Sequence, residues 1–109
     1  MLFGNRIVDH FVLCVRDLAE AVNRFDIDYG VKAHLGGRHL TQGTHNAIIK
    51  IGDQIYLEIL APDPENLDHK GSRWMGIDLI TNIPIITRWC LNTPYLIEDS
   101  KTLKKKIRI

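Results

Sequence analysis

Apolar and polar positions alternate through the first sixty residues in a way that predicts short strands around one helix. Residues 7–15 form an apolar, β-branched run of strand length, interrupted only by Asp9 and His10. The next segment has a helical period, since its apolar residues recur at i, i+3, i+4 and i+7 (Leu18, Ala21, Val22 and Phe25). Asp17 is a suitable N-cap, and Gly30 a suitable stop.

Further strands are predicted after the helix. A short apolar segment at 31–35 and a glycine-rich loop at 36–43 precede two strand-like runs, 44–51 and 54–61, around the turn Gly52-Asp53. The order β-α-β-β-β predicts an α+β fold in which a helix covers one face of a largely antiparallel sheet.

The second half of the chain repeats the first in part. Residues 85–103 align with residues 7–25 as a strand, a short polar turn and a helix, but the three strands of a second βαβββ unit do not follow. We therefore expect a single domain, 1–109. It would contain a complete module at about 5–62, a linker at 63–83 and a partial second module at 84–109.

Composition is that of an ordinary soluble protein. The chain has 109 residues, of which 45% are hydrophobic and 25% charged. It contains no apolar run long enough to span a membrane and no signal-peptide pattern at its start. Cys14 and Cys90 lie in separate strand-like runs, which favours reduced thiols and a cytoplasmic location.

The basic residues are unevenly distributed. Residues 101–108 hold five of the fourteen lysines and arginines, whereas all thirteen acidic residues precede them. Basic side chains are favourable at a helix C-terminus because that end of the helix dipole is negative. Since aromatic residues are not interleaved with the basic ones, we expect no nucleic-acid partner.

Side-chain alternation places polar groups on the second face of the sheet. A two-residue turn would pair His45 with Leu60 and Glu58 with Ala47, so that His45 and Glu58 share one face with Tyr56. His10 would point to this same face if its neighbours on the strand pack under the helix. The residues expected on the helix side are Ile48, Ile55, Leu57 and Ile59.

These segments resemble a known family. The stretches "VDHFVL" and "YLEILAPD", with "GGRH" and "GTHNA" between them, are similar to the glyoxalase-like branch of the vicinal oxygen chelate superfamily. That superfamily includes glyoxalases, ring-cleaving dioxygenases, epimerases, fosfomycin-resistance transferases and bleomycin-binding proteins. The resemblance covers residues 5–78 and, more weakly, 85–103, and it implies paired βαβββ modules around a cleft.

The resemblance also implies a metal site. Its usual ligands, a His on the first strand and a Glu on the fourth, correspond to His10 and Glu58. In the second unit the position of the His is taken by Arg88, which has no lone pair for a metal. With His45 as a third ligand, the site would suit Zn, Fe, Ni or Mn. The metal would act as a Lewis acid, and Glu58 would be the catalytic proton carrier.

Each of these roles has a plainer alternative. Arg38, Tyr56 and Arg88 are candidates for substrate binding. Arg38 could instead be a solvated side chain, Tyr56 could serve in core packing, and Arg88 could form an ion pair. His10 and Glu58 also suit a simple hydrogen bond, and His45 a contact that orders its loop. A site without any metal is therefore an equal alternative.

Three functions follow from these alternatives. The first is a metal-dependent lyase, isomerase or dioxygenase acting on a small oxygenated molecule. The second is a metal-free small-molecule binding module of the resistance type, and the third an inactive, truncated product of a longer gene. Because five strands would leave open sheet edges, we expect a homodimer in which two chains supply the missing walls of the cleft.

Overall fold

The computed structural model describes residues 2–66, 69–80 and 83–107, with side chains described for 4–66, 69–80 and 83–104. In chain order the strands and helices are β1 (Leu2–Phe3), β2 (Arg6–Cys14), α1 (Leu18–Tyr29), β3 (His34–His39), β4 (Thr44–Lys50), β5 (Tyr56–Pro62), β6 (Ile85–Asn92) and α2 (Leu96–Ile107). A 3₁₀ segment, Trp74–Leu79, interrupts the predicted linker 63–83, part of which lies outside the described residues. The predicted α+β class is confirmed.

The six strands form one mixed sheet. Its order is β1-β2-β5-β4-β3, and β6 also pairs with β2. The central strand β2 is parallel to β5 and antiparallel to β6. The segments β2, α1, β3, β4 and β5 therefore form one βαβββ unit, and β6 with α2 begins another. The short strand β1 was not predicted.

Helix α1 begins and ends where the sequence predicts. The side chain of Asp17 accepts a hydrogen bond of 3.0 Å from the backbone N–H of Glu20. Gly30 ends the helix in the left-handed region, with φ at 66°.

Each face of the sheet has its own core. Under α1 lies a cluster of buried side chains (Val15, Leu18, Ala47, Ile49, Ile59 and Ala61). On the other face a smaller cluster lies under the 3₁₀ segment (Val12, Cys14, Leu60 and Ile77). The rest of this second face carries His10, Tyr56 and Glu58, and we call it the His10 face.

The register of the β4–β5 hairpin differs from the prediction by one residue. His45 pairs with Ala61 and Ile48 with Glu58. The connection spans residues 51–55, because the N–H groups of residues 51 and 52 both bond to the carbonyl of Ile55. A shift of one residue exchanges the two faces of a strand. The predictions that His45 shares a face with Glu58, and that Ile48 faces the helix, are therefore wrong.

Helix α2 is attached to the sheet mainly at its first turn. Asp99 forms an ion pair with Arg6 at 2.7 Å and accepts a hydrogen bond of 2.6 Å from Thr93. In contrast, Leu96 and Ile97 are largely exposed, and Leu103 is about half exposed. Among the described residues, no helix combines the length and the apolar character needed to cross a membrane.

Candidate functional site

A β-bulge on β2 places an aspartate beside His10. Val8 pairs with Leu91 and His10 pairs with Cys90. Asp9 is therefore an extra residue on β2 that has no partner on β6. Bulges redirect side chains, and the Oδ2 atom of Asp9 lies 2.8 Å from Nδ1 of His10. Simple alternation had placed Asp9 on the opposite face, and nothing in the sequence signals the bulge.

Three side chains lie against the imidazole of His10. Asp9 lies against Nδ1, the ring of Tyr56 stacks at 4.6 Å between centroids, and Oε1 of Glu58 lies 3.6 Å from Nε2. His10 and Glu58 therefore lie on the same face, as the alternation along β2 predicts.

Glu58 is buried, with 6% of its surface exposed. Its Oε2 atom accepts a hydrogen bond of 2.9 Å from the side-chain amide of Asn46. Asn46 takes the place expected for His45, because the register of the hairpin is shifted by one residue. Sequence reasoning missed Asn46 for that reason alone.

The proton of a neutral His10 belongs on Nδ1, because the carboxylate of Asp9 only accepts hydrogen bonds. In this tautomer Nε2 presents a lone pair toward Glu58, and a carboxylate oxygen without a proton is also an acceptor. The two atoms, 3.6 Å apart, are then both acceptors, whereas a protonated His10 would donate from Nε2 to Glu58. Such a pair is satisfied by a hydrogen-bond donor or a cation placed between them.

Negative charge surrounds this pair. Burial and then the charges of Asp9 and Glu58 raise the pKa of the Tyr56 hydroxyl. Burial and the same two carboxylates also raise the pKa of the Cys90 thiol, although the charge of Arg88 opposes this. Because a raised pKa keeps a thiol protonated, Cys90 is not an activated nucleophile.

Arg88 lies on the same face as Glu58. It pairs with Val12 of β2, which in turn pairs with Glu58 of β5. Neighbouring residues across a sheet point to the same side, so the exposed Arg88 lies about 10 Å, two strand spacings, from Glu58.

Comparison with known proteins identifies the family. A sequence model for the glyoxalase-like domain matches residues 8–108. The chain belongs to the glyoxalase-like domain family. No curated protein matches it at a significant level.

Solved structures share the fold of this glyoxalase-like domain. Methylmalonyl-CoA epimerase from Streptomyces coelicolor, solved with 2-nitronate-propionyl-CoA, is 24% identical, with a TM-score of 0.66 over 91% of this chain and 70% of the epimerase. The epimerase from Mycobacterium tuberculosis is 20% identical (TM-score 0.65, 97% and 69% covered). A hypothetical protein from Bacillus halodurans is 16% identical (TM-score 0.70, 94% and 69% covered).

His45 lies on the helix side of the glyoxalase-like domain. It lines a cavity of about 120 Å³ next to Leu18, at the start of α1. Burial lowers the pKa of its imidazole, an effect that the charge of Asp63 partly opposes. The structure does not bring His45 together with His10 and Glu58.

Arg38 is also on the helix side, because it pairs with His45 across β3 and β4. Its guanidinium contacts Asp63 at 2.5 Å and Glu65 at 3.2 Å. Asp63 is 1% exposed and accepts a further hydrogen bond from the backbone N–H of Glu65. Arg38 thus holds the segment after β5 and does not reach the His10 face.

The described residues do not form a metal site by themselves. No group of three His, Cys, Asp or Glu side chains among them is close enough to hold an ion. His10 and Glu58 provide two donors, whereas zinc sites in proteins use at least three protein ligands. A metal at this position would need additional ligands from elsewhere.

Proposed function

We propose that this glyoxalase-like domain binds a small oxygenated anion on the His10 face. The observation that supports this most is the distance of 3.6 Å between His10 Nε2 and Glu58 Oε1, which are both acceptors when the proton of a neutral His10 is on Nδ1. A ligand hydroxyl or enol group would donate to these atoms. Arg88 would then pair with the anionic group of the same ligand.

The spacing limits the size of the ligand. Glu58 and Arg88 lie two strands apart, about 10 Å at the backbone, and both side chains extend over the same face. A molecule with a hydroxyl or enol group a few bonds from a carboxylate fits between them. Asp9 supports this binding because it keeps the lone pair of His10 directed toward the ligand.

A metal-dependent isomerase, lyase or dioxygenase is the second candidate. The same His–Glu pair favours it, and a carboxylate behind a histidine, as Asp9 lies behind His10, is the usual support of a metal-binding imidazole. Two of the solved structures that share this fold are epimerases. This candidate requires ligands that the described residues do not supply.

Elemental analysis separates the two candidates. The protein is purified without chelator as wild type, as Glu58→Gln and as the control Glu65→Gln, whose side chain is exposed. We expect no stoichiometric Zn, Fe, Ni or Mn in any of them. A stoichiometric metal that is lost only in Glu58→Gln would establish the second candidate instead.

Calorimetric titration with the hydroxy acids glycolate, lactate and malate tests the binding itself. We expect saturable binding of at least one of them, weakened roughly tenfold or more in Glu58→Gln and in Arg88→Met, because each removes a charge-assisted contact. The control Arg24→Met, an exposed arginine of α1, should bind as wild type does. Absence of both metal and binding would support the inactive product that the sequence also allows.

A further inference from the structure

Strand β6 has an edge that the described residues leave unpaired. It runs from Ile85 to Asn92 and pairs only with β2. Of the two further edge strands, β1 has only two residues, and β3 contains Gly36 and Gly37 and an irregular register against β4, features that discourage edge pairing. The sequence of β6, IITRWCLN, contains no glycine, proline or lysine.

The backbone of Trp89 points toward this free edge. The backbone N–H of Val15 donates to the carbonyl of Leu60 on β5. Every second residue of a strand directs its backbone N–H and C=O to the same neighbour, so the backbone groups of Phe11 also point to β5. Phe11 faces Trp89 on β6, and this pair is therefore not hydrogen-bonded. The N–H and C=O of Trp89 are consequently directed away from β2.

Exposed apolar side chains lie along this edge. Trp89 is 59% exposed and Ile86 57%. Helix α2, which follows β6, exposes 69% of Leu96 and 67% of Ile97. A groove of about 780 Å³, lined largely by apolar side chains of β2, α1 and the start of β6, lies beside Ile86 on the helix side of the sheet.

We propose that a second copy of this chain covers the edge of β6. Its β6 pairs antiparallel with the first, with Trp89 opposite the partner's Trp89 around a two-fold axis. Residues opposite each other in an antiparallel pair point to the same face of the sheet. A two-fold axis between two copies of β6 therefore pairs one residue with its own copy, and near the middle of the strand that residue is Trp89 or Arg88. Centring on Arg88 would oppose two guanidinium groups, whereas centring on Trp89 forms two reciprocal backbone hydrogen bonds and opposes Arg88 to the partner's Cys90.

The charges of the two helices suit the same arrangement. Helix α1, which lines the groove, contains three carboxylates and one arginine, and α2 contains four lysines and two carboxylates. A second copy paired along β6 brings its exposed α2 toward the sheet and α1 of the first copy. The net negative charge of α1 and the net positive charge of α2 favour this contact. The exposed apolar side chains of α2 would be buried in it.

This dimer also changes the His10 face, a consequence that rests on the proposed function. Cys90 pairs with His10, and the partner's Arg88 lies opposite Cys90. Each His10 therefore has two guanidinium groups on its face, one from each copy. The anion-binding site is complete only in the dimer.

Sedimentation of the free protein tests the interface without any ligand. We expect a dimer at micromolar concentration and a monomer for Trp89→Pro. Proline at position 89 removes only an N–H that points to the free edge, so β2 and β6 remain paired and the circular dichroism spectrum is retained. A monomeric wild type, or a dimeric folded Trp89→Pro, would overturn the proposal.

Cross-linking tests the register by a second route. In a Cys90→Ser background, Trp89→Cys places two thiols directly opposite each other, and a short bismaleimide should join them in high yield. In the same background Leu91→Cys places its thiols about 13 Å apart along the strand and should react far less. Equal yields at the two positions would overturn this register. Since neither measurement involves a ligand, a failure of the dimer is distinguishable from a failure of anion binding.

Discussion

His10 and Glu58 lie diagonally across the two parallel strands β2 and β5, with Nε2 of the imidazole 3.6 Å from Oε1 of the carboxylate. The polar pair thus forms between strands distant in sequence, not across the β4–β5 hairpin. Asp9 fixes one side of the imidazole and Asn46 one oxygen of the carboxylate. With the proton of a neutral His10 on Nδ1, the remaining lone pairs of the two side chains face each other.

Replacement of Asp9 should move the proton of His10. In Asp9→Ala, Nδ1 loses its acceptor and the proton is more stable on Nε2, where Glu58 accepts it. Nitrogen NMR of the imidazole distinguishes the two neutral tautomers. The control Asp53→Ala, at an exposed position of the hairpin loop, should leave the tautomer unchanged. A proton on Nε2 in wild type as well would contradict this description of the site.

Replacement of Asn46 should affect binding, whereas replacement of His45 should not. Asn46→Ala removes the donor that holds Oε2 of Glu58, and we expect weaker binding of the anion by several-fold. His45→Ala alters the other face of the same strand. Calorimetric titration of both variants measures the difference, and the reverse result would restore the register expected from a two-residue turn.

Arg38 should contribute to stability rather than to binding. Arg38→Ala leaves the carboxylate of Asp63 buried without its cation, and we expect the free energy of unfolding to fall by about 1–3 kcal/mol. Urea denaturation measures this loss, with Arg24→Ala as the control for an exposed arginine. An Arg38→Ala protein of wild-type stability but impaired anion binding would show that Arg38 acts on the ligand.

Acid should release the first turn of α2. The hydrogen bond from Arg6, followed by that from Thr93, lowers the pKa of Asp99 to about 2. Since the folded pKa lies below the unfolded one, the stabilisation is fully present above about pH 4 and is lost as the pH falls toward 2. Carbon NMR of the carboxylate should give this value in wild type and a clearly higher one in Arg6→Gln, which stays below the ordinary 3.8 because Thr93 still donates to Asp99. A similar pKa in both proteins would contradict the ion pair.

The sequence pattern predicts most of the fold because each element has a local signal. The apolar spacing and the capping residues Asp17 and Gly30 define α1, and β-branched runs define the longer strands. Alternation on β2 also places His10 toward Glu58. These features depend on neighbours only a few residues away.

Two local irregularities could not be predicted from the pattern. The hairpin loop at 51–55 is longer than the two-residue turn, and this exchanges His45 for Asn46 beside Glu58. The bulge at Asp9 depends on pairing with β6, a contact between distant parts of the chain. Each displaces a side chain to the other face, so small departures in register decide which residues form the site.

The most direct test of the proposed site is an NMR titration of the labelled protein with the hydroxy acids glycolate, lactate and malate. For a ligand that binds, we predict saturable shifts at His10, Asn46 and Arg88 in wild type, and their loss in Glu58→Gln. Residues of the groove between α1 and β6 should not shift. Shifts confined to that groove or to Arg38, or equal shifts in Glu58→Gln, would contradict the assignment of the His10 face as the anion-binding site.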